Sequence, residues 1–303
     1  LNNLAGLLKQ TNRLAEAELL MRRALAIDDA CFGAEHFNIA IRLNNLASLL
    51  QVTNRLAEAE PLMRRALAID EASFGTEHPD VATSLNNLAQ LLQETNRLAE
   101  AEPLMRRALV IDEACFGMEH PRVATKVNNL AQLLQVTNRQ AEAEPLMHRV
   151  LAIDEASFGA EHPNVARALN NLALLLQVTN RLAEAEPLMR RALAIDEASF
   201  GTEHPNVAIR LNNLAQLLQD TNRLAEAEPL MRRALAIDEA SFGAKHPKVG
   251  RNLNNLAGLL KQTNRLAEAE PLMRRALVIH IRSLGLGHPN SGIVRGNYIE
   301  LLT

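Results

Sequence analysis

Apolar residues recur along this chain with the spacing of one face of an α-helix. In the segment 79–94 they follow the i, i+3, i+4, i+7 pattern and are Leu85, Leu88, Ala89, Leu91 and Leu92. The segment 98–116 carries a second stripe, formed by Ala101, Leu104, Met105, Ala108 and Leu109. Thr95-Asn96-Arg97 separates the two stripes, and Asn tolerates a left-handed turn conformation. The pattern predicts helix A over about 79–94, helix B over about 98–116, and a tight turn between them.

This helix pair recurs with a period of 42 residues. The string Leu-Asn-Asn-Leu-Ala, with one variant that begins at Val127, starts at positions 1, 43, 85, 127, 169, 211 and 253, and residues 295–303 form a partial eighth copy. A single pair cannot bury both of its apolar stripes, whereas stacked neighbours can. We therefore expect an all-α fold in which residues 1–303 form one array, an α-solenoid of about seven stacked helix-turn-helix repeats.

Charge and composition remove several classes of partner. The 32 basic and 35 acidic residues give a net charge of -3, without the basic footprint that nucleic-acid binding usually leaves. No apolar run approaches the ~18 residues that a membrane helix needs, and no export signal opens the chain. We expect no nucleic-acid partner, no membrane partner and a cytoplasmic location.

The two cysteines, Cys31 and Cys115, occupy the same repeat position two repeats apart. If neighbouring repeats are offset by the helix packing distance of ~10 Å, the two sulfurs lie roughly 20 Å apart. A disulfide needs Cα atoms within ~7 Å of each other. We expect two free thiols, which suits a reducing compartment.

The spacing of small and large residues resembles that of the tetratricopeptide repeat. The matching positions are Leu43, Leu46, Ala47 and Leu50 in helix A, and Ala59, Met63 and Ala66 in helix B. The long period and the motifs Leu-Asn-Asn-Leu-Ala, Ala-Glu-Pro-Leu, Arg-Ala-Leu-Ala-Ile and Gly-x-x-His-Pro are similar to those of kinesin light chain and related bacterial repeats. The resemblance implies a right-handed superhelix whose helices A line a concave groove, and a scaffold that binds peptide segments of a protein partner there.

Two adjacent asparagines lie in the middle of helix A in seven copies, including Asn2 and Asn3 in the first copy. Asn is a poor helix former, so each costs roughly half a kcal/mol. Its amide can hold a peptide backbone in either orientation, and the alternative is that one Asn of each pair bonds to a neighbouring repeat. The candidate peptide-binding residues are Asn44, Asn45, Asn86, Asn87, Asn128, Asn129, Asn170, Asn171, Asn212, Asn213, Asn254 and Asn255.

Differences between the copies gather on helix A, where a binding face would vary while packing positions stay constant. One varying set is Ser48, Gln90, Gln132, Leu174, Gln216 and Gly258. Another is Val52, Glu94, Val136, Val178, Asp220 and Gln262. Four basic residues at varying positions complete the candidate site: Lys126, Arg167, Arg210 and Arg251. They predict a mildly basic groove and a partner with an acidic side chain or a C-terminal carboxylate. Drift of exposed positions is the alternative.

Nothing in the sequence predicts catalysis, a metal or a cofactor, and we expect no enzyme. The recurrent histidines, such as His78 and His120, share one position per repeat. The ligands of one metal ion must approach within ~4 Å of each other, whereas neighbouring repeats are offset by ~10 Å, so these histidines cannot bind the same ion. No phosphate-binding loop and no nucleophile stand out from the repeats. Helix B carries Glu60, Arg64, Arg65 and Asp70-Glu71, which we interpret as a solvated face.

The chain begins and ends inside a helix A, so Leu1, Leu4 and Leu8 would present an uncapped apolar edge. We expect a fragment of a longer protein, or self-association through the ends. The first functional hypothesis is a peptide-binding interaction module. The alternatives are a sensor or oligomerisation arm of a larger bacterial signalling ATPase or effector, and a consensus-like array without a specific native ligand.

Overall fold

A computed structural model describes residues 13–302, apart from the side chains of residues 284 and 302. This range contains fourteen α-helices and no strand. The helices B are α1 (Leu14–Phe32), α3 (Leu56–Phe74), α5 (Leu98–Phe116), α7 (Gln140–Phe158), α9 (Leu182–Phe200), α11 (Leu224–Phe242) and α13 (Leu266–Leu284). The helices A are α2 (Phe37–Val52), α4 (Pro79–Glu94), α6 (Pro121–Val136), α8 (Pro163–Val178), α10 (Pro205–Asp220), α12 (Pro247–Gln262) and α14 (Pro289–Leu302).

The alternation of helices A and B confirms the predicted all-α fold. The bounds predicted for one helix A and one helix B are confirmed as well. Helix α4 spans the predicted 79–94 and α5 spans the predicted 98–116. The first copy of the Asn motif, with Asn2, Asn3 and the apolar edge Leu1, Leu4 and Leu8, lies outside the described residues.

The chain divides into two compact units, Leu1–Ile153 and Asp154–Thr303. In the first unit α2 packs on α3 and α4 packs on α5, while each helix B also packs on the helix A that follows it. The second unit repeats this arrangement, for example with α10 packed on α11 and α12 on α13. Neighbouring helices A also touch, as α4 does with α6 and α12 with α14. A single continuous array over residues 1–303 stays a prediction.

Each repeat has a small apolar core where helix A crosses its own helix B. In one of them Val81, Ala82 and Leu85 of α4 pack against Ala108 and Ile111 of α5, and all five are at most 1% exposed. Leu67 of the preceding helix, α3, also packs against this cluster. Burial of a Val, Leu or Ile side chain contributes ~1.5–3 kcal/mol, so the residue from the previous repeat makes the core of one repeat depend on its neighbour.

The turn from helix A to helix B depends on an Asn in the left-handed region. Asn96 has a φ of 59°, and Asn54, Asn138, Asn180, Asn222 and Asn264 repeat this conformation. The turn is closed by the Arg97 N–H, which donates to the Leu92 carbonyl at 2.8 Å. The predicted role of Asn as the residue that ends helix A is confirmed.

A histidine caps the N-terminus of every described helix A. In α4 the His78 Nδ1 accepts the Asp80 backbone N–H at 3.2 Å, and its ring stacks on Phe74 with a centroid distance of 4.6 Å. The cap satisfies one of the backbone donors that a helix start leaves unpaired. The same bond is made by His36, His120, His162, His204, His246 and His288. The recurrent histidines therefore have a structural role, which the sequence analysis did not identify.

The charged face of helix B is a network that crosses from repeat to repeat. Glu60 pairs with Arg64 at 2.8 Å, as its spacing predicts, and also with Arg97 of the next repeat at 2.7 Å. Arg97 holds Glu100 as well, at 2.6 Å. Exposed pairs contribute little singly, ~0.2–1 kcal/mol, but these share partners along the stack. The interpretation of Glu60 as part of a merely solvated face was incomplete.

Asn96→Ala is expected to lower the urea midpoint of the chain, by the equivalent of about 1–2 kcal/mol, because Ala is strained at a positive φ. The Asn96 side chain is exposed, so little else changes. Asn96→Gly is the matched control and should keep the midpoint near that of the wild type. Equal midpoints for the Ala and Gly variants would show that the turn tolerates another conformation.

Polar junctions and clefts on the helices A

A buried aspartate lies near the end of helix B in α3, α5, α7, α9 and α11, and the equivalent Asp28 of α1 is partly buried. Asp70 is 5% exposed and Asp112 is 0% exposed, and the others are Asp154, Asp196 and Asp238. The expectation that Asp70 belongs to a solvated face was therefore wrong. The sequence does hold the signal, since Met63, Ala66 and Asp70 follow the i, i+3, i+7 spacing of the buried stripe.

Each buried carboxylate faces the next helix A, at a position that we call the junction position. Its residues are Arg42, Ser84, Lys126, Ala168, Arg210 and Asn252. The Ser84 hydroxyl donates to Asp70 Oδ2 at 2.6 Å, and Asn252 Nδ2 donates to Asp238 Oδ2 at 2.8 Å. A buried charge is tolerated only when such partners are present. The varying position on helix A is thus a structural partner of helix B.

This geometry changes the interpretation of three of the four basic candidates. Lys126 is buried with its Nζ 3.9 Å from Asp112, and Arg210 Nε donates to Asp196 at 2.8 Å. Arg167 takes over where the junction residue is Ala168 and lies 3.6 Å from Asp154. Each of the three lies beside a buried aspartate, which corrects the expectation that they make the face basic. Arg251 differs, because it is exposed and forms no ion pair within residues 13–302.

The pair of Lys126 and Asp112 is poorly matched. Neither carboxylate oxygen of Asp112 has a hydrogen-bond partner in the described part of the chain. Burial raises the pKa of the Asp112 carboxyl, and the nearby Lys126 only partly offsets this. Burial also lowers the pKa of the Lys126 ammonium. Both directions favour the neutral forms, since the attraction across 3.9 Å does not offset the loss of water around two ions.

The asparagine pairs bond from one helix A to the next. Asn129 Nδ2 donates to Asn86 Oδ1 at 2.9 Å, and Asn213 Nδ2 donates to Asn170 Oδ1 at 2.8 Å. The pair Asn297 and Asn254 repeats this bond at 3.1 Å. The first Asn is buried in four of the described pairs, for example 4% exposed at Asn170, and partly buried at Asn44 and Asn254. The alternative that one Asn of each pair bonds to a neighbouring repeat is confirmed for these positions.

The junction residue decides which partner the first Asn takes. Where it is small and polar it captures that Asn, because Asn44 Nδ2 donates to Ser84 Oγ at 2.9 Å and Asn212 Nδ2 donates to Asn252 Oδ1 at 3.0 Å. Where it is Lys126, Arg210 or Val294, the second Asn of the next repeat takes the bond instead.

Because the junction residue decides the partner of the first Asn, it leaves the second Asn of the next repeat without a hydrogen bond at two places among the described residues. Asn87 and Asn255 make no hydrogen bond with the described residues, because Asn44 and Asn212 are held by the junction residues. Asn87 and Asn45 line a cleft of about 250 Å³, and Asn255 lines a cleft of about 430 Å³. Asn128 is buried and Asn171 is partly buried.

Further clefts lie between neighbouring helices A. One of about 480 Å³ between α4 and α6 is lined by Gln90, Gln93, Glu94, Asn129, Gln132 and Val136. One of about 460 Å³ involves α10, α12 and α14 and includes Gln216, Asn255 and Gly258. Gln90, Gln132 and Gln216 are exposed, and Val136 is 60% exposed. The varying positions that the sequence singled out are therefore accessible, and amides dominate these linings.

The part of the chain that the structure describes contains neither a candidate metal site nor a candidate membrane-spanning helix. Residues 13–302 contain no group of three or more His, Cys, Asp or Glu side chains that could hold a metal ion. Among the same residues no helix is long and apolar enough to cross a membrane. Cys31 and Cys115 are free and exposed.

The paired antiparallel helices with repeated small residues at their crossings define an array of helix-turn-helix repeats. A family model described as tetratricopeptide repeat matches residues 1–72, 38–114, 122–198, 167–240 and 211–282. The chain belongs to the tetratricopeptide repeat family. No curated protein matches it.

Similar solved structures indicate which type of tetratricopeptide repeat this chain contains. The nearly identical TPR-like repeats of a Podosopora anserina kinesin light chain candidate match at 25% identity and a TM-score of 0.58, over 69% of this chain and 99% of that one. BtubC (BKLC) from P. vanneervenii matches at 25% identity and a TM-score of 0.61, over 78% and 92%. A tetratricopeptide repeat protein from Parabacteroides merdae shares the fold at 15% identity, with a TM-score of 0.66 over 99% and 97%.

These matches confirm the resemblance to kinesin light chain-like repeats. Tetratricopeptide arrays are generally protein-interaction or scaffold modules and are typically non-catalytic. The assignment of the individual Asn and basic residues to peptide binding stays a prediction.

Asp70→Asn is expected to raise the thermal midpoint at neutral pH. Burial raises the pKa of the Asp70 carboxyl above its ordinary 3.8, and the hydrogen bond from Ser84 only partly offsets this. The folded state therefore binds the proton more tightly than the unfolded state does. Stability is highest below the unfolded pKa and falls as the pH rises through the folded pKa. The amide oxygen introduced by the substitution would still accept the Ser84 hydroxyl.

The advantage of Asp70→Asn should vanish when the melting curves are recorded well below pH 3.8, where the carboxyl is mostly protonated in both states. Glu119→Gln removes an exposed carboxylate and serves as the control. A lower midpoint for Asp70→Asn at neutral pH would mean that the charge itself stabilises the junction.

Proposed function

We propose that this chain is a protein-interaction module that binds an extended segment of a partner protein across the clefts between successive helices A. The observation that carries the proposal is the set of amides left without a structural bond, of which Asn87 is the clearest example. A free Asn amide offers two donors and one acceptor, which matches the donors and acceptors of a peptide backbone. The exposed Gln90 and Gln132 extend this surface in the same unit.

The family supports the same function. A scaffold that presents repeated amides recognises the backbone of an extended chain, while varying neighbours such as Val136 and Glu94 select side chains. A cytoplasmic location, the absence of nucleic-acid partners, and self-association through the ends stay predictions from the sequence.

The test is a random peptide library displayed against the intact chain, followed by affinity measurements on the selected peptides. Asn87→Ala with Gln132→Ala should weaken binding roughly tenfold or more, because two backbone contacts are lost. The melting midpoint should stay the same, since neither side chain has a hydrogen bond to a described residue.

Val110→Ala is the matched control, because Val110 is 59% exposed on a helix B and away from these clefts. It should leave affinity unchanged. Selected peptides that bind the double variant as tightly as the wild type would contradict a site on the helices A.

A further inference from the structure

Two clefts lie at equivalent repeat positions near the two ends of the described chain, and they differ in charge. In the first, which we call the Asp70 cleft, the lining residues include Asp70, Ile41 and Asp80. In the second, the His280 cleft, the corresponding residues are His280, Arg251 and Asn290. The second cleft, of about 430 Å³, is within the size range of ligand sites.

His280 takes the place of the buried aspartate in the last described helix B. It is 4% exposed, and neither ring nitrogen has a hydrogen-bond partner within residues 13–302. The junction residue of the next helix A is Val294, which cannot hydrogen-bond to the ring. A buried donor or acceptor without a partner is costly, so an unpaired imidazole in the wall of a cleft indicates a group that a ligand satisfies.

The chain makes room for this imidazole. Gly250 faces His280, and the equivalent helix A position is Ala in the other described pairs, for example Ala208 in the pair that contains Asp238. A Cβ at Gly250 would lie 3.0 Å from His280 Nε2 and 3.1 Å from Ile279 Cγ2. The change to His is therefore matched by the loss of a methyl group on the facing helix.

The rim of the His280 cleft is cationic. Arg251 is exposed, without an ion pair among the described residues, and Lys248 lies over the Phe242 ring at 4.2 Å from its centroid. The amide of Asn255 is also available there. Among the described lining residues there is no Asp or Glu, in contrast to Asp70 and Asp80 of the other cleft.

We propose that the His280 cleft binds a carboxylate of the partner segment, with the Arg251 guanidinium and an imidazole N–H of His280 as donors. This inference rests on the proposed function and specifies one side-chain or terminal group that the bound segment carries. Arg pairs with carboxylates through two parallel hydrogen bonds. The side chain of Glu or Asp and a C-terminal carboxylate share this chemistry.

The experiment uses the intact chain and three seven-residue peptides of Ala and Ser. One is amidated and carries a central Glu, one is amidated and carries Gln instead, and one carries Gln and ends in a free carboxylate. Binding is followed by the imidazole NMR signals of His280 and by the dissociation constant. Binding by the Glu peptide alone assigns a side-chain carboxylate, and binding by the Gln peptide with the free end assigns a terminal one.

Two variants copy residues from the chain's own repeats, so the fold should tolerate them. Arg251→Ile gives the residue found at Ile41 and Ile209, and His280→Asp with Gly250→Ala and Val294→Ser restores the set that Asp70, Ala40 and Ser84 form. Each should weaken the carboxylate-bearing peptide about tenfold or more. The control is Ile41→Arg, which adds an Arg beside the carboxylate of Asp70 and should create no second site.

Unchanged affinity in both variants overturns the proposal, as does equal binding of the amidated Gln peptide or the absence of any change in the His280 signals. A different result would contradict the proposed function. If the library peptides lose affinity with Asn87→Ala and Gln132→Ala but not with Arg251→Ile, the chain binds peptides and the carboxylate site is wrong. If neither set of variants changes their affinity, both proposals fail.

Discussion

The packing of successive repeats depends on a carboxylate that helix B places out of water. Asp70 needs a partner, and the next helix A supplies it in Ser84, which in turn holds Asn44 on the helix A before. One chain of two hydrogen bonds thus joins three helices. Because an unpaired buried charge is so costly, this chain of bonds restricts the register in which a repeat can stack on its neighbour.

The same constraint separates structural from available side chains. The residue at the junction position determines whether an Asn bonds to its neighbour, as Asn129 does, or is left for a ligand, as Asn87 is. Variation among the copies therefore does more than change a surface. It changes which amides face a cleft unpaired, and at His280 it replaces the internal carboxylate by a group that has no internal partner among the described residues.

Local rules predicted the helices and turns, because the apolar period and the left-handed Asn96 act within one repeat. They did not predict the burial of Asp70, since charged residues were assigned to the solvated face although its spacing matched the buried stripe. Lys126 was assigned to the groove for the same reason, because its partner Asp112 lies on another helix and was also assumed to be solvated. The cap formed by His78 depends on a ring nitrogen and a stacked Phe74, which no spacing rule includes. The burial and the partners of these polar side chains are decided by contacts between helices, which the repeat pattern does not include.

The most direct test is a pair of double-mutant cycles on stability, because they measure coupling between neighbouring repeats. Asn86→Ala and Asn129→Ala should be coupled by about 0.5–1.5 kcal/mol, since the two amides share a hydrogen bond. The equivalent cycle of Asn44→Ala and Asn87→Ala should be close to additive, because Ser84 holds Asn44. Equal coupling in the two cycles would contradict the rule that the junction residue decides which asparagine is bonded.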